Sequence, residues 1–139
     1  MIGLPTLTAL DRAATTRIWL ATAPADMRCG FDRLAELAQA VTEQNPLDGH
    51  LFLFRGRSGD RLKILYWDRD GYALWYKRLE EGVFKMPRID GEARSVELRA
   101  SELAMLLDGI DLKSVKRGKR YSRKKPIAGN NSLDSAYLI

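Results

Sequence analysis

Residues 51–79, LFLFRGRSGDRLKILYWDRDGYALWYKRL, constrain the fold more than any other stretch of this chain. Three apolar runs, Leu51–Phe54, Leu62–Trp67 and Tyr72–Leu79, alternate with two polar breaks that contain glycine. Short aromatic-rich runs bounded by Gly and Asp clusters read as strands joined by tight turns. Asp70-Gly71 is a good hairpin dipeptide, because glycine accepts the positive φ of a primed turn. The expectation is a three-stranded antiparallel meander.

Successive strand residues point to opposite faces. Leu62, Ile64 and Tyr66 therefore share one face, and Lys63, Leu65 and Trp67 the other. In the third run Tyr72, Leu74, Tyr76 and Arg78 oppose Ala73, Trp75, Lys77 and Leu79. Neither face is cleanly polar. One is expected to pack on a helix, the other to present aromatics mixed with Lys63, Lys77 and Arg55.

The flanking segments supply the helices. Residues 1–16 are weakly patterned, with a short helix around Leu7–Ala14 as one option. Arg17–Thr22 reads as a strand ended by Pro24, which cannot donate to a ladder. Phe31, Leu34, Leu37, Ala38 and Val41 then follow helical spacing. Asp26 or Asp32 is the expected N-cap, since a short side-chain oxygen can accept orphan backbone N–H groups. Val83–Pro87 reads as extended and Ala93–Leu98 as a further strand. Ser101–Leu107 reads as a second helix, capped by Ser101 and stopped by Gly109, with Ile110 and Leu112 packing back on the core. The fold class is α+β: a small antiparallel meander sheet of three to five strands, one main helix, a short second helix and a basic C-terminal tail.

Charge divides the chain more sharply than hydropathy does. The net charge is +5 over 139 residues. Lys113, Lys116, Arg117, Lys119, Arg120, Arg123, Lys124 and Lys125 face only Asp134, which leaves 15 basic and 17 acidic residues in 1–112. The expected organisation is one domain over 1–112 and a flexible arm over 113–139. A basic arm on a near-neutral domain points to a polyanion, because Lys and Arg displace counterions from a nucleic-acid backbone. Tyr121 among them could stack on a base. A solvated tail that only aids solubility is the plainer alternative.

Other candidates carry less. Arg55, Arg57 and Arg61 bracket a turn with Gly56 and Gly59, a pattern able to hold phosphate through guanidinium forks and bare backbone N–H groups. It lacks the Gly-Lys-Ser/Thr ending of a Walker loop. Asp68, Asp70 and Glu80 could hold a divalent metal for phosphoryl chemistry, although Asp suits turns for local reasons. His50 is the single histidine and Cys29 the single cysteine. That excludes an internal disulfide and a cysteine cluster for zinc, and no cofactor is expected. No apolar run reaches the roughly 20 residues of a membrane span, and the start lacks a signal-peptide pattern.

A series of motifs then falls into order: Asp26-Met27-Arg28, Gly30-Phe31-Asp32, Phe52–Arg57, Asp60–Leu65, Trp67–Gly71 and Tyr76–Glu80. Together these resemble the TnpB accessory proteins of the insertion sequence sixty-six family over about residues 15–112. The resemblance implies a bacterial, cytoplasmic and nucleoid-associated protein that assists transposition. It implies no chemistry of its own, catalysis residing in a separate DDE-type transposase. The expected DNA contacts are the eight tail residues with Arg55, Arg57, Arg61, Lys63, Lys77 and Arg78. The expected protein partner is the transposase, through the aromatic face. Two rivals are a metal-dependent nuclease using Asp68, Asp70 and Glu80, and a protein-only adaptor without DNA binding.

Overall fold

The computed structural model describes residues 16–110. The expectations for Leu7–Ala14, Leu112 and the basic arm lie outside these residues. Among these residues five strands form one sheet: β1 (Ile18–Ala21), β2 (Leu51–Arg55), β3 (Arg61–Asp68), β4 (Gly71–Arg78) and β5 (Ser95–Leu98). Two helices accompany them, α1 (Phe31–Thr42) and α2 (Ala100–Leu107), with a 3-10 turn at Pro46–Asp48.

The strand order is β4-β3-β2-β1-β5. The meander β2-β3-β4 is antiparallel, as its turns predict, and β5 runs antiparallel to β1. β1 and β2 are parallel, with Ile18 beside Leu51 and Leu20 beside Leu53. The sheet is therefore mixed, which corrects the expectation of a wholly antiparallel one. The cause is the connection. A strand, a helix and a strand in succession return the chain to its starting end, so the second strand repeats the direction of the first.

The helices cover opposite faces, which explains why alternation gave no polar side. Leu51, Leu53, Leu62, Ile64 and Tyr66 pack with Leu103 and Leu106 of α2 and with Phe84 of the loop after β4. Phe52, Phe54 and Leu65 pack with Leu34 and Ala38 of α1. β2 is buried on both faces and reads as a continuous apolar run. The mixed aromatic and basic face is thus covered by α1 over most of its length, and its open part is confined to one end.

The caps depart from expectation. α1 starts after Gly30, with no side-chain cap. Asp26 stands too far before the first turn to reach it and binds Arg28 instead. Asp32 lies within the first turn, where its charge suits the helix dipole. α2 starts one residue early, so Ser101 is inside the helix. The Arg99 N–H donates to Glu102 Oε1 at 2.9 Å and closes the N-terminus in place of a serine cap. Gly109, at φ 83°, ends α2 as predicted. The N–H groups of Gly109 and Ile110 donate to Leu106 O and Met105 O, a Schellman ending. Ile110 is 42% exposed and does not return to the core.

The β3–β4 turn is also shifted by one position. Asp68 pairs with Gly71, so the loop is Arg69-Asp70 and Gly71 belongs to the strand. The positive φ, 60°, falls on Arg69. Asp70 N–H donates to Asp68 O at 2.6 Å, a three-residue turn centred on that arginine.

Candidate nucleic-acid interface

The open end of the α1-covered face is built by three segments. β1 continues beyond its last residue into an isolated bridge, Ala25 beside Gly56, and the Ala25 N–H donates to Arg55 O at 2.9 Å. This lays the loop of residues 22–30 along the β2–β3 hairpin. Gly56 is where they touch: a Cβ there would stand 2.7 Å from Met27 Cγ. The tip is held from the other side as well. Leu79 N–H donates to Asp60 O and Phe84 N–H to Gly59 O, each at 2.8 Å. Gly59 takes φ +87°, and a Cβ there would meet Val83 at 3.2 Å. The two glycines thus fix an arginine-rich tip between two neighbouring segments.

Lys63 ties the loop down from below. The residue is 6% exposed. Its Nζ donates to Met27 O at 2.7 Å and to Cys29 O at 2.8 Å, and stands 4.7 Å from the centre of the Tyr76 ring. A buried ammonium needs such partners, and its place here is structural.

Above it, Arg28, Arg57 and Arg61 line an open cleft of about 650 Å³ with Ala25, Asp26, Met27 and Ser58. The Arg28 side chain is 91% exposed and bridges Asp26 at 2.8 Å. That hydrogen bond, joined by the Arg28 backbone N–H, holds the Asp26 carboxyl down at about 2. Ser58 Oγ donates to Asp60 and lowers that carboxyl too. Arg61 Nη1 reaches the Tyr76 hydroxyl at 3.4 Å, and Tyr76 is 45% exposed. Arg61 and Arg78 are directly opposite cross-strand partners. Arg78 also bridges Glu80 at 3.1 Å.

The six basic residues expected on the sheet thus divide. Arg57, Arg61 and Arg78 gather at this end, with Lys63 beneath them. Arg55 and Lys77 lie on the other face. Arg55 Nη1 donates to Phe84 O at 3.1 Å, beside a second cleft formed with Thr22, Met86, Pro87, Arg88 and Ile89. The eight tail residues lie outside the described residues. Arg28 was missed as a contact, although the Asp-Met-Arg motif marks it. Nothing local in the sequence shows that its loop lies against a hairpin about 30 residues later.

The acidic trio does not assemble. Asp68 and Asp70 flank one end of β4 and Glu80 follows its other end, so at about 3.4 Å per residue they stand roughly 25 Å or more apart. Among the described residues no group of three His, Cys, Asp or Glu side chains could hold a metal ion. Among them, too, no helix is long and apolar enough to cross a membrane.

Comparison with known proteins places the chain in a family. Residues 16–117 match the family described as IS66 Orf2 like protein. The uncharacterized protein y4hO of Sinorhizobium fredii (strain NGR234) is 46% identical over 73% of this chain and 87% of its own length. The uncharacterized protein y4jC of the same strain is 37% identical over 73% of this chain and 85% of its own. No solved structure matches the chain.

Proposed function

The chain belongs to the IS66 Orf2-like family of insertion-sequence, transposition-associated proteins, and on that premise we propose that it is a non-catalytic accessory protein that grips DNA through the sheet end formed by Arg28, Arg57, Arg61 and Arg78. The observation that carries this reading is the pairing of Arg61 with Arg78. Like charges directly opposite on a sheet are destabilising. Arg61 also lines, with the exposed Arg28 and Arg57, a cleft open to solvent. A phosphate backbone would relieve that repulsion and accept the guanidinium forks in pairs. Tyr76, with its half-open ring beside Arg61, adds a surface on which a base could stack.

The basic arm from Lys113 to Lys125 supplies a second set of phosphate contacts by its charge. The protein partner is the transposase of the same element, which carries the chemistry.

The test is DNA affinity across a salt series. For Z phosphate contacts, log affinity falls with log salt at a slope of about −0.9Z. The wild-type chain, an Arg28→Ala/Arg57→Ala chain and a chain with its eight tail cations neutralised are compared. Removing two sheet-end contacts should flatten the slope by about 1.8. A slope unchanged by the arginine pair and abolished by the tail changes would remove the sheet end from the interface. Nicking of plasmid DNA by the purified chain with Mg²⁺ would overturn the non-catalytic part.

A further inference from the structure

The outer edge of the sheet at β4 carries an independent message. β4 is eight residues long, pairs with β3 in unbroken register from Gly71 to Arg78, and among the described residues has no strand on its other side. Residues 72–76, Tyr-Ala-Leu-Trp-Tyr, are uncharged. Folded proteins usually blunt such an edge with a bulge, a proline, an inward charge or brevity. The opposite edge, β5, is short and carries Glu97 in a salt bridge with Arg17. β4 has none of these devices along its middle.

The direction of its free backbone groups can be read from the ladder. Leu79 N–H donates to Asp60 O. Antiparallel pairs alternate between hydrogen-bonded and non-hydrogen-bonded. Odd-numbered residues of β4 therefore bond to β3, and Tyr72, Leu74, Tyr76 and Arg78 turn their N–H and C=O groups outward. The side chains of these same residues share the face covered by α1, where Tyr72 and Leu74 pack.

We propose that β4 pairs antiparallel with β4 of a second copy, about a two-fold axis at Leu74, to make one continuous ten-stranded sheet. A two-fold axis perpendicular to the sheet keeps each face on its own side, so only residues of like parity can stand opposite. Placing the axis at Leu74 sets Leu74 against its equivalent and Tyr72 against Tyr76. It also sets Ala73 against Trp75, small against large, on the other face. At each end Asp70 of one copy meets Arg78 of the other. The hairpin turn carries Asp68 and Asp70 around Arg69, a net negative charge, and the open end carries Lys77 and Arg78 with Glu80 bridged to Arg78, a net positive one. An antiparallel copy matches these opposite charges, whereas a parallel one would stack like on like. Cross-strand pairs of opposite charge and of aromatic rings are the favourable ones. The charge match selects a second copy of this chain over an unrelated strand.

The experiment is sedimentation equilibrium of the full chain without DNA, together with Asp70→Arg, Arg78→Asp and an equimolar mixture of the two variants. The wild-type chain should be a reversible dimer. Asp70→Arg sets arginine against Arg78 at both pairing ends, and Arg78→Asp sets aspartate against Asp70, so each alone should self-associate about tenfold or more weakly. Mixed, they restore opposite charges at both ends and should form a one-to-one dimer. Rescue in the mixture excludes misfolding as the cause of the single-variant losses. A monomeric wild-type chain would overturn the proposal. So would a dimer indifferent to both substitutions, since its interface would lie elsewhere.

Discussion

Lys63 and Tyr76 face each other across β3 and β4, with the lysine ammonium 4.7 Å from the centre of the ring and hydrogen-bonded to two carbonyls of the neighbouring loop. One buried cation therefore joins the meander, the Asp-Met-Arg loop and an exposed aromatic. Lys63→Met keeps the aliphatic stem and removes the donor. It leaves Met27 O and Cys29 O without that partner, and a hydrogen bond from a charged group is worth about 1.5–3 kcal/mol. Urea denaturation should show a loss of that size. Amide exchange at residues 26–30 should accelerate more than in α2.

Gly56 is required because Met27 occupies the space a side chain would need. Gly56→Ala should cost about 1–3 kcal/mol through overpacking. In a Met27→Ala background the same change should cost clearly less, because the clashing Cγ is gone. A double-mutant cycle on thermal unfolding measures the coupling. Equal costs in both backgrounds would place the constraint in the backbone instead.

His50 makes part of the fold's stability sensitive to acid. Its ring is buried, Nδ1 accepts the Arg17 N–H at 3.0 Å, and burial lowers its pKa from 6.5, with Arg17 acting in the same sense. The unfolded chain thus binds a proton that the folded chain resists. The contribution of His50 is fully present above pH 6.5 and is lost as pH falls below it, by at most about 1.4 kcal/mol per pH unit for one proton. His50→Asn keeps an acceptor without a titration and should flatten this slope in urea midpoints between pH 7 and about 5. Asp26 acts lower. Its pairing with Arg28 stabilises above pH 3.8 and is lost as pH falls toward about 2.

Arg69 occupies a left-handed conformation at φ 60°, which costs a residue with a Cβ about 1 kcal/mol. Its carbonyl accepts from Trp67 Nε1 at 3.2 Å, a contact that does not depend on its side chain. Arg69→Gly should therefore raise the melting temperature by a few degrees, despite the added freedom of the unfolded chain. A lowered melting temperature would mean that the guanidinium contributes more than the backbone costs.

The local elements were legible because their signals are local. The three meander strands carry β-rich runs and polar breaks, and α1 carries an apolar stripe at helical spacing. The direction of β1 is also implicit in the sequence, since strand, helix and strand in succession imply a parallel pair, but no residue of β1 itself encodes it. The left-handed turn residue was misplaced because Asp70-Gly71 offers the better dipeptide, and the register set by β3 and β4 overrode it. Of the candidate interface, Arg57 and Arg61 were visible as a hairpin tip. Arg28 and the role of Lys63 were not, because both depend on the contact between Met27 and Gly56.

β1 lies between β2 and β5, with Ile18 beside both Leu51 and Leu98. The earliest strand of the described fold is thus flanked by one made about 30 residues later and one made about 80 residues later. At a synthesis rate of roughly 5–20 residues per second, β1 spends seconds with a bare edge. The hairpins of β2, β3 and β4 can close while the ribosome is still at work, whereas the strand that unites the sheet waits for the last one. The nascent chain should therefore resist protease first in the meander, and at β1 only after residue 98 has left the exit tunnel.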